Sequence, residues 1–565
     1  MDISFAYQRR SNVNRVPNGL AISLAPNLRR DRVSYDGQLK DPLRFREAIS
    51  ALHDVVISDL RFQQRDKSAY EEYQNQETAR LSALRRSAGA AKRQEQKIEL
   101  EARVGVMPAG LEADFKRQRK HYWKARQQYS NYLWRSDPEL WRRMMPCDPV
   151  ITVAPDVLLF ECFSADESSY GCLSVGRDAM SDERDIKLGT TNVDYSWALY
   201  EHFQQLRSYR NTRFNVDPSG FDVSTQEAES HREEKIELPN SWLRGFMQLQ
   251  SAMSLPMRKV PVSREGLYNV LAFLKRHRAA KSPRAVRFEL EPGKPVCIVL
   301  EPWEKKIELH STPYDGLKTE TIRVWGRDRL RVLARMLPIA ENAHVFLLGN
   351  GLPSFWVTNL GDMQLTLGLS GWTTNDWTSG SALTQLKPPV EVSEVDLVTI
   401  AGAFRTDPAC TFKDLNHRIN LESPVIAAGL NHLAHLGQVI HDLPAGVYRW
   451  RQVMPAPLTA SQLGAPDPET MHAQRLLETI KFTVDRNEQS PSGLQVVTGH
   501  AGNRKVEMII DQDGLMKRAK CGCSHHFKNG LRKGPCRHLQ ALRNFMQKSE
   551  TQPQTLERWF NQFWN

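Results

Sequence analysis

A chain of 565 residues with 40% hydrophobic and 25% charged residues is too long for one hydrophobic core and too ordinary in composition for a disordered or fibrous protein, so roughly three to five folded domains are expected. No run approaches the ~18 apolar residues needed to cross a bilayer, and the opening MDISFAYQRRSNVNR lacks the apolar stretch of a secretory leader, which predicts a cytoplasmic protein with no membrane partner. The formal charge of +11 admits a polyanionic partner without specifying one, since net charge speaks to solubility and steering before function.

Residues 1–149 read as a helical N-terminal region. In LRFREAISALHDVV, Phe45, Ile49, Leu52 and Val56 recur at helical spacing and mark one buried face. Leu81, Leu84, Ala88, Ala91, Glu95, Ile98 and Ala102 keep alternating steps of three and four. VGVMPAG breaks the run, and Leu111, Phe115, Gln118, Tyr122, Ala125, Tyr129 and Tyr132 resume it. The pattern predicts two long helices folded back as a basic coiled-coil hairpin, with Phe115 and Tyr122 packed inward. The second helix carries FKRQRKHYWKAR, where Lys116, Arg117, Arg119, Lys120, Lys124 and Arg126 alternate with aromatics. That mixture suits phosphate contact and base stacking; a solvated outer face over an aromatic seam accounts for it as well.

From 150 to 385 the texture becomes that of a mixed α/β middle region, with a candidate break into two domains near 237. VITVAPDVLLFECFS and AVRFELEPGKPVCIVL read as strands, the latter pair divided by a Pro-Gly turn. SWLRGFMQLQSAM and SREGLYNVLAFLKRHR read as helices, the second with Ser263 as N-cap and Leu267, Val270, Leu271 and Leu274 on one face. FWVTNLGDMQLTLGLSGWTTNDW predicts a hairpin turning at Asn359 to Asp362, whose tryptophans serve burial or ligand stacking. A dispersed enzymatic site could use Asp166, Glu167 and Ser168 in FSADESSYG, although a polar turn is the simpler account. Cys147, Cys162, Cys172, Cys297 and Cys410 are scattered without the spacing of a disulfide framework and read as reduced thiols, mostly buried.

Residues 390–453 give three short helical segments, VSEVDLVTIAGAF, TFKDLNHRI and SPVIAAGLNHLAHLGQV, and then a hairpin, IHDLPAGVYRW. Leu430, Leu433 and Gly437 fit a third helix that packs by its leucines and stops at glycine, and on these residues the segment resembles a winged helix. The resemblance implies a third helix able to enter a major groove, with Asn431, His432 and His435 among its outer residues. That helix has no Lys or Arg to hold phosphate, and winged helices also dock proteins. The Pro-rich residues 454–468 read as a linker.

The last module spans 469–549, followed by a tail at 550–565. RKVEMII and LMKRA read as strands around the turn Asp511 to Gly514, with Cys521-Gly522-Cys523 directly after. In extended backbone, residues two apart point the same way, so both thiolates can reach one metal ion. Inside a helix that spacing is about 200° around the axis, so Cys536 and His538 must straddle a helix start, which Gly534-Pro535 supplies before Leu539, Leu542 and Met546 continue at helical spacing. Three thiolates and an imidazole suit one tetrahedral, structural zinc ion (Zn2+) with no position left for water. His525 or His526 could replace His538 as the fourth ligand.

Cys521-x-Cys523, twelve residues, Cys536-x-His538, with two strands before and a helix after, resembles the SWIM zinc finger, a ββα module. The resemblance covers about a seventh of the chain and implies binding of DNA or protein; such fingers occur in bacterial helicase-associated factors and in transposase-derived proteins. From Gly514 through Ser549 there is no Asp or Glu, while Lys517, Arg518, Lys520, Lys528, Arg532, Lys533, Arg537, Arg543 and Lys548 are basic. Part of that charge offsets the thiolates; the surplus favours phosphate backbone as partner, with a merely soluble surface as the other account.

The sequence therefore predicts a multidomain α+β protein without catalytic motif: GxxxxGK[ST], HExxH and GxSxG are absent, and no small-molecule substrate is evident. The leading expectation is a non-enzymatic zinc protein whose finger binds nucleic acid, DNA foremost. The alternative is a protein-protein interaction adaptor in a multi-protein bacterial assembly.

Overall fold

The computed structural model describes residues 5–7, 11–16, 19–27, 31–57, 149–164, 166–193, 195, 199–200, 203–209, 211–216, 233–235, 240–279, 282–371, 388, 390–453, 468–491, 493–532 and 534–547, with a scatter of residues between 110 and 136. Two compact units are distinguished, one of residues 1–61, 146–531 and 535–565, the other of 62–145 with 532–534. In the second, the described residues between Leu111 and Ser136 are helical. Leu111 and Tyr132, two predicted seam positions, are exposed there. Leu111 follows directly on Gly110 at a helix start. Phe115 and Tyr122, and the pairing of the predicted hairpin, lie outside the described residues.

In the first unit the strands Asn12–Val16, Gly19–Leu24, Asn211–Val216, Ser34–Leu39 and Met180–Lys187 lie side by side in that order. The N-terminus is thus extended before it becomes helical. GLAISL is buried almost throughout, so it shows neither a helical nor an alternating period in sequence. Helix α1 (Pro42–Ile57) then buries Phe45, Ile49, Leu52 and Val56, the face its spacing predicts.

An eight-stranded sheet runs Arg258–Ser263, Asn342–Leu347, Ser354–Asn359, Met363–Leu369, Ser169–Gly176, Val157–Phe163, Val150–Val153, Gly189–Asn192. Met363–Leu369 pairs antiparallel with Ser169–Gly176, and one core extends from Leu20 to Leu369. The residues on either side of 237 therefore share a sheet and a core, and the candidate break there does not divide them. The predicted helices form as α2 (Asn240–Met253) and α3 (Arg264–Arg276), the latter capped by Ser263, which accepts from the Gly266 amide.

Residues 390–453 form α4 (Glu394–Ala403), α5 (Phe412–Arg418) and α6 (Ser423–His435), with strands Ala409–Cys410, Val439–Asp442 and Val447–Trp450 in one sheet. Capping boxes start α4 (Ser393 with Asp396) and α5 (Thr411 with Asp414). Leu430 and Leu433 are buried in a core with Ile400, Leu415 and Tyr448. The opposite side of α6 is not free. Asn431 is buried, its Nδ2 donating to the Ser251 carbonyl (2.9 Å) and Ser254 Oγ (2.8 Å) on and just after α2. Asn431 is thus corrected from an outer residue to one whose amide satisfies the end of a neighbouring helix. Beside it, the fully buried pair Arg451–Glu161 and the pair of Arg449 with Asp156 (2.5 Å) tie the segment to the eight-stranded sheet.

Candidate metal centre

Antiparallel strands Phe482–Gln489, Gln495–Ala501, Arg504–Ile510 and Met516–Cys521 form the sheet of the C-terminal module in chain order. Helix α7 (Pro468–Thr479) precedes them. The two strands anticipated from sequence are the last two, joined by the predicted turn, where Asp511 Oδ1 accepts from the amides of Asp513 (2.9 Å) and Leu515 (2.9 Å) and Gly514 takes φ +76°. Their inner face, Val506, Met508, Ile510, Met516 and Cys521, packs on Leu539, Leu542 and Met546 of helix α9 (537–547).

Cys521 ends its strand; Cys523 is extended (φ −85°, ψ 157°) and caps helix α8 (Ser524–Asn529), its Sγ accepting from the His526 amide at 3.3 Å. Cys536 stands immediately before α9 and His538 in its first turn, the straddled start that the spacing requires. One donor atom from each of the four lies within 4.8 Å of the others, and Cys521 Sγ is 3.8 Å from His538 Nδ1. Two ligands on one tetrahedral zinc would be roughly 3.6–3.8 Å apart, so the donor set fits such an ion. Neither His525 nor His526 belongs to the group; His526 Nε2 turns instead to the Ala519 carbonyl at 3.2 Å. His538 is the fourth member.

The charges of the cluster point the same way. Cys521 is brought down, chiefly by its hydrogen bond with Cys536, against burial and helped by His538. The same bond, with burial, pushes Cys536 up. Without a cation, one thiolate is thus stable only while its neighbour keeps its proton, and ionising all three thiols requires positive charge in their midst.

The predicted cations are not all available. Arg537 is held by Glu469 from α7 at 2.5 Å, and its amide donates to the same carboxylate at 2.7 Å, placing an anion at the start of α9. Lys517 meets the buried Asp511 at 3.0 Å, whereas Lys520 is only loosely paired with Glu507, at 3.5 Å on an exposed side chain. Arg543 is half-buried, and the enclosure of its side chain pushes its guanidinium down. Arg518, Lys528 and Arg532 are exposed; Lys533 and Lys548 lie outside the described residues. The acidic partners come from before Gly514, which a count confined to 514–549 misses. Also unanticipated is Asp513, buried, which accepts from Arg284 N (2.6 Å), Arg284 Nε (2.7 Å) and Trp325 Nε1 (3.1 Å) and fixes the hairpin turn to the body.

Asp166, the polar candidate of the middle region, is consumed by structure: it is buried, takes both guanidinium nitrogens of Arg329 (3.0 and 2.5 Å) and the hydroxyls of Ser164 and Ser168 (both 2.7 Å). Burial works against its carboxylate, but Arg329 and the two serines outweigh it and hold it well below the usual range. Cys162, Cys172 and Cys410 are buried and Cys297 half-buried, none of them in a disulfide. Trp356 is buried in the hairpin that turns at Asn359 to Asp362. Among the described residues, no helix is long and apolar enough to cross a membrane.

No protein-family model and no curated protein matches the chain. Among solved structures, proliferating cell nuclear antigen from Entamoeba histolytica is similar at 12% identity over 41% of this chain and 91% of that one, with a TM-score of 0.28. That from Thermococcus kodakaraensis is similar at 12% identity over 40% and 90%, with a TM-score of 0.26.

Proposed function

We propose that this chain is a non-enzymatic protein whose C-terminal module is a SWIM-type zinc finger that binds nucleic acid, DNA foremost, presented by the mixed α/β body. The observation that carries the reading is the convergence of Cys521, Cys523, Cys536 and His538 at the junction of a sheet and two helices. Three thiolates select a borderline-soft ion, and four protein donors leave no position for water, so zinc here is structural. Exposed Arg518 and Lys528 supply cations for phosphate.

The order helix, strand, helix, helix, hairpin over 394–450 supports the winged-helix reading of that segment. With α6 engaged on α2 through Asn431, its role is to brace the body rather than to read a groove. One observation favours the adaptor alternative: Val395 and Val398 of α4 are 74% and 71% exposed, as protein contacts often are before assembly. Salt separates the readings. The zinc-loaded protein should bind labelled DNA with an affinity that falls linearly in log[salt]; binding that is absent, or unchanged by salt, selects the adaptor.

A further inference from the structure

Phe527, on α8, is 90% accessible, the most exposed large apolar side chain among the described residues. A ring so exposed adds nothing to the core. Its position is nevertheless fixed, because Cys523, a member of the metal cluster, caps the helix that carries it and accepts the Phe527 amide on its carbonyl at 2.9 Å. Beside the ring lies a recess of about 280 Å3 lined by Lys505, Glu507, Lys520, Gly522 and His526. Arg504 donates to the Gly522 carbonyl at 3.1 Å, and a Cβ at Gly522 would meet nothing within 4 Å, so the approach is open. Lys505 and Lys520 share Glu507 at 3.6 and 3.5 Å while remaining 64% and 83% exposed, and exposed pairs of that length hold their cations weakly. Lys528 is the residue after the ring and is also exposed.

We infer that Phe527 is a stacking platform for an unpaired nucleobase, and that the nucleic acid taken by the finger is single-stranded, its phosphates passing Lys505, Lys520 and Lys528. The inference rests on the nucleic-acid reading above and adds the strand class. In a duplex both faces of each base are covered by neighbours, so an exposed ring has nothing to stack on; in a single strand every base offers a face. Helix α8 has six residues, under two turns, which is short for reading a major groove. The cations around the ring distinguish this surface from an apolar protein-docking patch.

The test uses the full-length, zinc-loaded protein with fluorescein-labelled oligothymidylate and a duplex of equal length, read by anisotropy across a salt series. The single strand should bind more tightly than the duplex. Phe527→Ala should weaken single-strand binding about 5- to 150-fold without changing the salt slope or the zinc content, and Phe527→Trp should restore it. Lys520→Glu should instead reduce the slope by roughly 0.7 per lost phosphate contact. A Phe527→Ala variant within about twofold of wild type, or a duplex bound as tightly as the strand, overturns the stacking inference while leaving a nucleic-acid-binding finger. If the wild type binds neither probe, both readings fall and Phe527 is assigned to a protein partner.

Discussion

Cys536→Ser tests the metal centre where it is least forgiving. The side chain is fully buried in the core shared by the four-stranded sheet and α9, so the change combines a lost ligand with a hydroxyl left in its place. Structural zinc supplies about 10–16 kcal/mol of folding free energy in small fingers, against a total stability of about 5–15 kcal/mol for a typical domain. A module whose remaining core is as small as this one cannot absorb that loss. The cores around Leu20–Leu369 and Ile400–Tyr448 are built from other residues, so unfolding should stop at the C-terminal module. Zinc measured by atomic spectrometry after dialysis should fall from one ion per chain to near zero. Limited proteolysis should then cut within 482–547, and the main thermal transition should persist. His525→Ala and His526→Ala should keep their zinc. A Cys536→Ser protein with stoichiometric zinc refutes the ligand set, and a wild type that binds none refutes the metal reading itself.

Reversing Arg518 and Lys528 to Glu should leave zinc bound while weakening single-strand binding and lowering its salt slope by roughly 0.7 per phosphate contact removed; unchanged affinity in a titration would favour the adaptor. Asn431→Ala should cost about 0.5–1.5 kcal/mol in denaturant unfolding, because it removes the amide that bonds the Ser251 carbonyl and the Ser254 hydroxyl while Ser254 Oγ still donates to that carbonyl, and should leave nucleic-acid affinity alone; lost affinity at full stability would restore α6 as a reading helix. For Asp166 the sign is that of a depressed carboxylate: its contribution is complete above the unfolded value of about 4 and is lost as pH falls toward its lower folded value. Asp166→Asn should therefore be less stable than wild type by about 3–5 kcal/mol at neutral pH, with the gap constant from pH 5 to 8 and narrowing below about 4; a gap that closes on going alkaline contradicts the ion pair with Arg329.

What could be read from the sequence is what repeats locally. The face of α1, the cap at Ser263 and the hairpin between Arg504–Ile510 and Met516–Cys521 each follow from a period or a turn a few residues long. Cys521, Cys523, Cys536 and His538 were legible because their two spacings permit only an extended pair and a helix start. The first strand of the C-terminal sheet was not, since FTVDRNEQ buries only its phenylalanine and so has no alternation to detect. Nor was α8, whose SHHFKN has no buried residue. Long-range partners were also invisible. Asn431 looked like an outer polar residue because Ser251 and Ser254, which satisfy it, are more than 170 positions earlier. The cationic run looked unopposed because Glu469, Glu507 and Asp511 lie upstream of it.

The same partners show how the end of the module that carries Cys521, Cys523, Cys536 and His538 is held. The hairpin Arg504–Cys521 is fastened twice, at its turn by Asp513 to Arg284 and Trp325 and at its far end by the metal ligands. Strands of seven and six residues reach about 20 Å at ~3.4 Å per residue, so the ligands are held that far along the strands from the anchored turn. With Cys523 at the start of α8 and Cys536 and His538 at the start of α9, one ion held by the cluster would fix the directions of two helices. A surface positioned in this way gives up little conformational entropy on binding, which favours a contact made by a few residues. Within that end, α9 faces the core with Leu539 and Leu542 and has its first turn closed by Glu469. That leaves α8, with Phe527 and Lys528 exposed, and the adjoining Lys505 and Lys520 as the part of the module whose chemistry the fold does not use.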